Sequence, residues 1–368
     1  MKILQVIPSL GKGGAERIAV DLSVELANRK DIELIFVVFS EDNKYSFLTQ
    51  NLLIKFIPTQ YIPSIKGKDY SNIEELNEFV KEFQPDIIHL HLYQSIINFS
   101  QIHYTKAKFF FHFHDNMKQF KKIGLSDLLT KEKLTNWYER SLIKRGFKNK
   151  DVSCIGISKD TYEYIIKNSP KVWLKHILYN GVDINRFDFD IKKNKFELIS
   201  IGSLLDNKNH LLLIEIIQLL VSKDFNVHLT ILGEGPLRNK LQFQIDEYKL
   251  NNNISLIGNV DYPEHYLKAS SIYIHTAKSE AFGLVLIEAM AAGLPVICTD
   301  AGGNRDIIEH GKNGYIFQER NPEVLANQII ELLENEPKRQ EIGQYAQNFA
   351  KNYDIKNYVD RLLEIYNS

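Results

Sequence analysis

Short apolar segments alternate with amphipathic segments along the whole chain, and this alternation constrains the fold more than any other feature. In the first half, Lys2–Pro8, Asp86–Leu90 and Lys108–Phe113 have the continuous apolar pattern of buried strands. Helical patterns such as Ala15–Ala27 lie between them, and the second half repeats the rhythm from Phe196 onwards. The pattern predicts an α/β chain whose parallel sheets are covered by helices on both faces.

The length of 368 residues favours two domains over one. We predict Rossmann-like domains over 1–178 and 179–352, and an amphipathic helix over 353–368 that returns to the first domain, with a dimerising helix as the alternative. The polar segment Asp183–Lys195 is interpreted as a linker. Ligands bind at the carboxyl ends of parallel strands, so we expect the site there, in the cleft between the domains.

Charge and cysteine content limit the function classes. The net charge of −1 argues against a nucleic-acid-binding protein. The two cysteines, Cys154 and Cys298, lie far apart without metal-ligand spacing, which favours a reducing, cytoplasmic location. The segment Lys118–Lys150 holds ten basic and three acidic residues with interleaved aromatics. This composition predicts peripheral contact with an anionic inner-membrane surface. A helix face that is simply exposed to solvent explains the same residues equally well.

The first candidate motif is the glycine-rich sequence SLGKGGAER, which follows the first strand and opens a helix. Gly13 and Gly14 allow backbone N–H groups to approach an anion at the helix start. The motif matches neither the dinucleotide fingerprint nor a Walker loop. We expect this loop to contact a phosphate or the acceptor. The alternative is that the glycines serve only a tight strand-to-helix turn.

Histidines at a strand end form the second candidate motif. His112 and His114, in FFFHFHD, share one face of a strand and can hydrogen-bond a sugar hydroxyl or stabilise charge. A metal pair is disfavoured, because no third ligand is spaced nearby. His89 and His91 are more ambiguous, and a structural role in the core is the favoured reading.

Two strand-to-helix turns of the second half carry further candidates. In IGSLLDNKN, Lys208 lies at a helix start and can face a diphosphate as a point charge. In LGEGP, Gly233 and Gly235 can contact a ligand or can be architectural, and both readings stay open.

The most informative segment is SEAFGLVLIEAMAAGLPVI. Glu280 precedes a helix that starts over Ala281–Leu284, and the N–H groups of this start can bind phosphate. Glu288 lies inside the helix among apolar neighbours, where an unpartnered carboxylate would be costly. Ribose hydroxyls are suitable partners, and pairing with a neighbouring Arg or Lys is the alternative.

Taken together, these motifs resemble family 4 of the retaining glycosyltransferases, which have the GT-B fold. The resemblance runs over nearly the whole chain and includes GGAER, HFHD, ISKD, YNGVD, GEGP and the paired-Glu segment. It implies an NDP-sugar donor, with UDP as the expected nucleotide, a glycan or lipid-linked acceptor, retained anomeric configuration, and no metal or other cofactor.

The resemblance also implies roles for single residues. His114, Glu280 and Lys208 resemble the catalytic set, and Glu288 resembles the ribose-binding glutamate. Further nucleotide-sugar contacts are expected from Gly14, Ser203, Gly233, Ile257, Ala281, Phe282, Gly283 and Leu284, and acceptor-side contacts from Gly13, Arg17, His112 and Asp115.

One position departs from the family pattern. Ser203 stands where many members have an arginine that contacts the diphosphate, so this cationic contact is missing or is supplied elsewhere, by Arg17 or Arg305. The alternatives to a transferase are a sugar-nucleotide epimerase or hydrolase on the same fold, and an inactive nucleotide-sugar-binding protein. A nicotinamide dehydrogenase is least favoured, since no G-x-G-x-x-G follows a strand.

Overall fold

The computed structural model describes residues 1–62, 69–122, 130–191 and 194–368, which form two compact units. Unit 1 comprises residues 1–181 and 355–368, and unit 2 comprises residues 182–354. Each unit holds one parallel sheet with helices, the arrangement that the alternating pattern predicts.

Unit 1 is built on a seven-stranded parallel sheet with the order β3-β2-β1-β6-β7-β8-β9. A separate antiparallel pair, β4-β5, was not predicted. The strands are β1 Lys2–Ile7, β2 Glu33–Val38, β3 Ile54–Phe56, β4 Gln60–Ile62, β5 Asp69–Ser71, β6 Ile87–His91, β7 Lys108–Phe113, β8 Asp151–Gly156 and β9 Leu174–Ile177. The helices are α1 Gly14–Ala27, α2 Ile73–Phe83, α3 Leu92–Phe99, α4 Lys131–Gly146, α5 Lys159–Asn168 and α12 Ile355–Asn367.

Unit 2 has a six-stranded parallel sheet with the order β12-β11-β10-β13-β14-β15. The strand order reverses at β10: β11 and β12 are added on one side of it, and β13 to β15 on the other. Such a topological switch point is where α/β sheets bind ligands. The strands are β10 Glu197–Ile201, β11 His228–Leu232, β12 Ile254–Gly258, β13 Ile272–His275, β14 Val296–Thr299 and β15 Gly314–Phe317. The helices are α6 His210–Ser222, α7 Arg238–Glu247, α8 Pro263–Ala269, α9 Leu284–Ala291, α10 Pro322–Glu334 and α11 Glu336–Ala350.

The last helix, α12, packs on unit 1 although the whole of unit 2 precedes it in the chain. Its buried face contains Ile355, Tyr358, Val359, Leu362 and Tyr366, in the periodicity of an amphipathic helix. These side chains join a hydrophobic cluster with residues of β1, α1 and β7. The C-terminal helix therefore contributes to the hydrophobic core of unit 1.

The segment Asp183–Lys195 differs from the linker that we predicted. Ile184–Phe187 forms a 3-10 helix that belongs to unit 2, and Phe187 is buried. Arg186 makes ion pairs with two glutamates of unit 2. Among its described residues Arg186 is paired and Asp190 is exposed, and residues 192 and 193 lie outside the described part of the chain.

Candidate functional site

Three polar side chains of unit 2 meet beyond the carboxyl ends of the adjacent strands β10 and β13. Lys208 Nζ lies 2.6 Å from Glu280 Oε2, and His275 Nε2 lies 3.1 Å from the same oxygen. Lys208 lies two residues before the start of α6 at His210, and His275 is the last residue of β13. The cluster therefore occupies the switch point of this sheet.

The charge of this cluster is fixed by its contacts. Burial alone raises the pKa of Glu280, but the hydrogen bond from His275 and the charge of Lys208 outweigh it and lower this pKa to about 2. Glu280 is therefore ionised at neutral pH. An ammonium group has three N–H donors, so Lys208 can hold Glu280 and still donate to an anionic ligand.

The backbone around Glu280 is held by a neighbouring loop. Glu280 donates its N–H to Ala301 O at 2.7 Å and accepts from Gly303 N at 2.8 Å. A side chain at Gly303 would place its Cβ 2.1 Å from Ala281 O. Gly283 has φ +98°, a left-handed conformation that favours glycine, immediately before α9. The start of α9 is thus presented by a well-fixed turn, with Phe282 buried and Leu284 half-buried.

Glu288 has a basic partner, which corrects one of our arguments. Its Oε1 atom lies 3.3 Å from Arg186 Nη1, and Arg186 Nη2 lies 2.8 Å from Glu264 Oε2. All three side chains are at most 12% exposed. The inference that Glu288 needs a ligand to be tolerated in the interior is therefore wrong, because Arg186 supplies the counter-charge. A carboxylate has about four lone-pair positions, so the pair retains capacity for ribose hydroxyls.

The GEGP turn packs against the loop after β10. Gly233 has φ +138°, and a Cβ there would lie 2.1 Å from Gly202 O. A Cβ at Gly235 would lie 2.6 Å from Leu204 O. A side chain at either position would clash with the backbone, so close packing of the two loops is enough to explain both glycines.

Two more of the predicted nucleotide-side residues are exposed in unit 2. Ser203 is exposed in the loop after β10, and Ile257 on β12 is 45% exposed. The arginines that we considered as replacements for the missing cation each pair with a carboxylate. Arg305 Nε lies 2.6 Å from Asp300 Oδ2, and Arg17 Nε lies 2.8 Å from Asp21 Oδ2 in unit 1.

In unit 1, the glycine-rich turn opens α1 as predicted. Gly13 is the residue before the helix, and Gly14 is its first residue. A Cβ on Gly13 would lie 2.2 Å from the Glu16 carboxylate, so glycine leaves the space that this side chain occupies. A Cβ on Gly14 would meet no described atom within 4 Å. Asp115 is exposed directly after the strand-end histidines.

Four histidines stack at the carboxyl ends of β6 and β7. The rings of His112 and His114 are 4.3 Å apart, and those of His89 and His91 are 4.4 Å apart. His89 Nε2 lies 3.0 Å from His112 Nδ1, and His91 Nδ1 lies 2.9 Å from His114 Nε2. The prediction that the strand-end histidines share a face is confirmed, as is the burial of the other pair.

This arrangement corrects our reason for disfavouring a metal. Ring nitrogens of His89, His91 and His112 lie within 4.8 Å of one another, so β6 brings two further candidate ligands to His112. In the structure, hydrogen bonds join nitrogens of His89 and His91 to Tyr366, His112 and Gln5, whereas Nε2 of His112 has no partner among the described residues. A ring nitrogen in such a bond either carries a proton or shares its lone pair, so a metal would have to replace that bond.

The basic segment places apolar side chains on its surface. On α4, Leu134, Trp137 and Tyr138 are each more than 40% exposed. Part of the segment that we predicted to contact a membrane, residues 123–129, lies outside the described residues. None of the helices in the described part of the chain is both long and apolar enough to cross a bilayer.

Comparison with known proteins follows this division of the chain. Residues 182–349 match the family model described as glycosyl transferases group 1, and residues 12–186 match the model of glycosyltransferase family 4. The chain belongs to the family 4 glycosyltransferases. The resemblance seen in the motifs is confirmed at this level.

Relatives of this glycosyltransferase include proteins of similar length. The chain is 26% identical to the capsular polysaccharide biosynthesis glycosyltransferase CapH of Staphylococcus aureus, over 100% of this chain and 99% of the relative. It is 26% identical, over 95% and 94%, to the Campylobacter jejuni N-acetylgalactosamine-N,N'-diacetylbacillosaminyl-diphospho-undecaprenol 4-alpha-N-acetylgalactosaminyltransferase. It spans only 34% and 26% of two longer curated relatives, to which it is 32% and 30% identical.

Solved structures confirm the fold of the glycosyltransferase. The crystal structure of Anabaena HepE in complex with UDP and glucose matches with a TM-score of 0.81, at 21% identity, and the match covers 100% of both chains. The predicted GT-B fold with its two Rossmann-like domains is therefore confirmed.

Sequence reasoning missed several polar residues of these clusters. His275 is the last residue of β13, which is a short apolar segment of the sequence, so its position at a strand end was available as a signal. Arg186 was hidden in the segment interpreted as a linker. Gln5 and Tyr366 hydrogen-bond the histidine cluster. No local pattern relates residues 361 positions apart.

Proposed function

We propose that this glycosyltransferase moves a hexose-type sugar from an NDP-sugar, with UDP as the nucleotide, to a glycan or lipid-linked acceptor, with retention of configuration. The process proposed is bacterial surface polysaccharide biosynthesis. The names of two relatives that match over nearly their whole length support it, because CapH is a capsular polysaccharide biosynthesis glycosyltransferase and the Campylobacter enzyme is named for a diphospho-undecaprenol substrate.

The observation that carries the proposal is the cluster of Lys208, Glu280 and His275 at the switch point of unit 2. Lys208 provides a positive charge that, among the residues that the structure describes, pairs with one carboxylate, that of Glu280, at 2.6 Å. We assign it, together with the N–H groups at the start of α9, to the diphosphate of the donor. Charge that develops on the leaving diphosphate would be stabilised by donors already in position.

Glu280 has a different role in this proposal. It is ionised and shared between Lys208 and His275, so it fixes the orientation of both side chains. Its second carboxylate oxygen can accept hydrogen bonds from hydroxyls of the transferred sugar. We therefore assign Glu280 to positioning the sugar relative to the diphosphate.

We assign Glu288 to the ribose, in a site prepared by Arg186. The arginine holds Oε1 of Glu288 at 3.3 Å and is itself held by Glu264 at 2.8 Å. Two carboxylates around one guanidinium leave a net negative charge, which favours hydroxyl donors as the next ligand. The arrangement provides a carboxylate on α9 whose orientation is fixed by Arg186.

The transfer step is proposed as a front-face displacement. The bond between the anomeric carbon and the diphosphate oxygen breaks, and the acceptor oxygen forms its bond on the same face. The acceptor proton passes to an oxygen of the departing diphosphate. No protein nucleophile and no metal are assigned, and His114 is assigned to a hydroxyl of the transferred sugar.

The acceptor is proposed to approach from the cytoplasmic face of the membrane. Exposed Trp137 and Tyr138 on α4 are flanked by basic residues, a combination suited to an anionic lipid surface. This surface would bring the enzyme to an acceptor that is carried on a lipid.

The test is product analysis with a panel of UDP-sugars and lipid-linked or glycan acceptors. We expect acceptor-dependent release of UDP, and an NMR coupling constant at the new linkage that shows the configuration of the donor. Sugar release without an acceptor would identify a hydrolase, and an inverted linkage would contradict the retaining mechanism. Binding of UDP-sugar without turnover under any acceptor would identify an inactive binding protein.

A further inference from the structure

A single hydrogen-bonded chain connects α12 to the histidine at the end of β7. Gln5 Nε2 donates to the Tyr366 hydroxyl at 3.1 Å, and Gln5 Oε1 lies 2.8 Å from His91 Nε2. His91 Nδ1 lies 2.9 Å from His114 Nε2. Gln5, His91 and Tyr366 are at most 1% exposed, so the chain runs through the interior of unit 1.

The imidazoles in this chain are neutral. Burial lowers the pKa of His91 well below its usual value, and the neighbouring imidazoles lower it further. Burial lowers the pKa of His114 to about 3. A neutral imidazole has one N–H donor and one acceptor nitrogen, so every contact in the chain has a defined direction.

The direction starts at the amide of Gln5. Its oxygen can only accept, so His91 carries its proton on Nε2 and must accept at Nδ1. The donor to that nitrogen is then Nε2–H of His114. It follows that Nδ1 of His114 is an unprotonated acceptor, and among the residues that the structure describes none hydrogen-bonds this atom.

In the structure, the hydroxyl of Tyr366 is the partner of the amide nitrogen of Gln5. It accepts from Gln5 Nε2, which leaves its own proton for Nδ1 of His89, with which it also makes contact. A reversed amide would reverse every donor and acceptor up to His114, whose Nδ1 would then carry the proton. The orientation of one buried amide thus determines what His114 offers to a ligand.

We propose that Gln5 and Tyr366 are positioning residues that hold His114 in its Nε2–H tautomer, so that Nδ1 accepts a hydrogen bond from a hydroxyl of the donor sugar. The sugar contact rests on the proposed function. The tautomer itself follows from the contacts of unit 1. Tyr366 lies on α12, so the last helix would influence which donor is used. A donor sugar without that hydroxyl could not make the hydrogen bond to Nδ1 of His114.

The test is two-bond ¹H–¹⁵N correlation spectroscopy of the full chain labelled with ¹⁵N-histidine, which distinguishes the two tautomers. The His114 signals are assigned by their loss in His114→Gln. We expect the Nε2–H tautomer for His91 and His114 in the wild type. In Tyr366→Phe the amide nitrogen of Gln5 loses this partner, so we expect a mixture of tautomers at His114 and a fall in kcat/KM for UDP-sugar of about tenfold, as for one hydrogen bond.

The matched control is Tyr358→Phe on the same helix. The hydroxyl of Tyr358 is also buried and has no hydrogen-bond partner within the described ranges. Its removal should leave the histidine spectrum and kcat/KM unchanged. Gln5→Met removes the amide itself and should mix the tautomers as well, which provides a second variant if the first does not fold.

Several outcomes would overturn the inference. The Nδ1–H tautomer at His114 in the wild type would do so without any variant. An unchanged spectrum in both Tyr366→Phe and Gln5→Met would do the same. The spectra are recorded without a donor, so the expected tautomers combined with no turnover of any UDP-sugar would contradict the proposed function and the sugar contact, while control of the tautomer by Gln5 and Tyr366 would stand.

Discussion

The candidate clusters of the two units handle buried polarity in different ways. Unit 2 uses full charges, in Lys208–Glu280 and in Arg186 with its two glutamates. Unit 1 stacks four neutral histidines, whose pKa values are lowered by burial. A diphosphate requires charge and a sugar requires only hydrogen bonds. The comparison therefore suggests which part of a sugar nucleotide each unit is suited to bind.

The largest expected effect comes from removing the charge that unit 2 offers to the diphosphate. In Lys208→Ala we expect kcat to fall by about 10²–10³-fold, the usual loss when one donor to a developing anion is removed. The matched control is Lys278→Ala, because Lys278 forms an exposed ion pair with Asp206 in the same unit. Steady-state kinetics with a UDP-sugar measure both. Equal activity of the two variants would show that the diphosphate does not depend on Lys208.

A second prediction concerns the buried arginine. Arg186→Gln leaves Glu264 and Glu288 without their counter-charge, so we expect a loss of about 3–5 kcal/mol in the unfolding free energy of unit 2. We also expect a higher KM for the UDP-sugar, because Glu288 loses its orientation. Urea unfolding and initial-rate kinetics measure the two effects.

The control for this prediction is Arg238→Gln. Arg238 pairs with Glu234, and both side chains are about 40% exposed, so the ion-pair contribution should be under about 1 kcal/mol. A stability loss in Arg186→Gln no larger than in this control would contradict the view that Arg186 neutralises a buried pair of carboxylates.

The smallest expected effect is a difference in acid sensitivity between the units. The pKa values of the four stacked histidines are lowered in the folded state, so their contribution to stability is full above the unfolded value of 6.5 and declines as the pH falls below it. The pKa of Glu280 is lowered from 4.5 to about 2, so its contribution declines only below 4.5.

Hydrogen exchange with mass spectrometry at pH 7 and at about pH 5.5, corrected for the intrinsic pH dependence of exchange, measures this difference. We expect β6 and β7 to lose more protection than β10 and β13. In unit 2, His210 also has a lowered pKa, of about 4, so some loss is expected there too. Equal losses in both sheets would show that the histidine cluster is not an acid-sensitive element.

Much of the fold could be predicted from periodicity. The strand Lys108–Phe113 was predicted with its exact bounds, and the continuous apolar runs correctly indicated parallel sheets. The short helix Leu92–Phe99 was missed, because it follows its strand without a turn signal. Its first residue, Leu92, has φ +63°, which no composition rule would anticipate for leucine.

The candidate site was predictable in its residues and less so in its contacts. Lys208 and Glu280 were identified from position and motif, but not as partners of each other. Glu288 was correctly placed in the interior, but Arg186, 102 residues earlier, was not foreseen as its counter-charge. Such pairs are set by the packing of distant elements, which local sequence patterns do not encode.

The central claim is that Lys208, Glu280 and the start of α9 form the diphosphate and sugar site of this glycosyltransferase. A crystal structure with an intact UDP-sugar tests it most directly. We predict a diphosphate oxygen within hydrogen-bonding distance of Lys208 Nζ and of the N–H groups before α9, with the ribose on Glu288. A nucleotide bound elsewhere, with the Lys208–Glu280 pair untouched, would contradict the account.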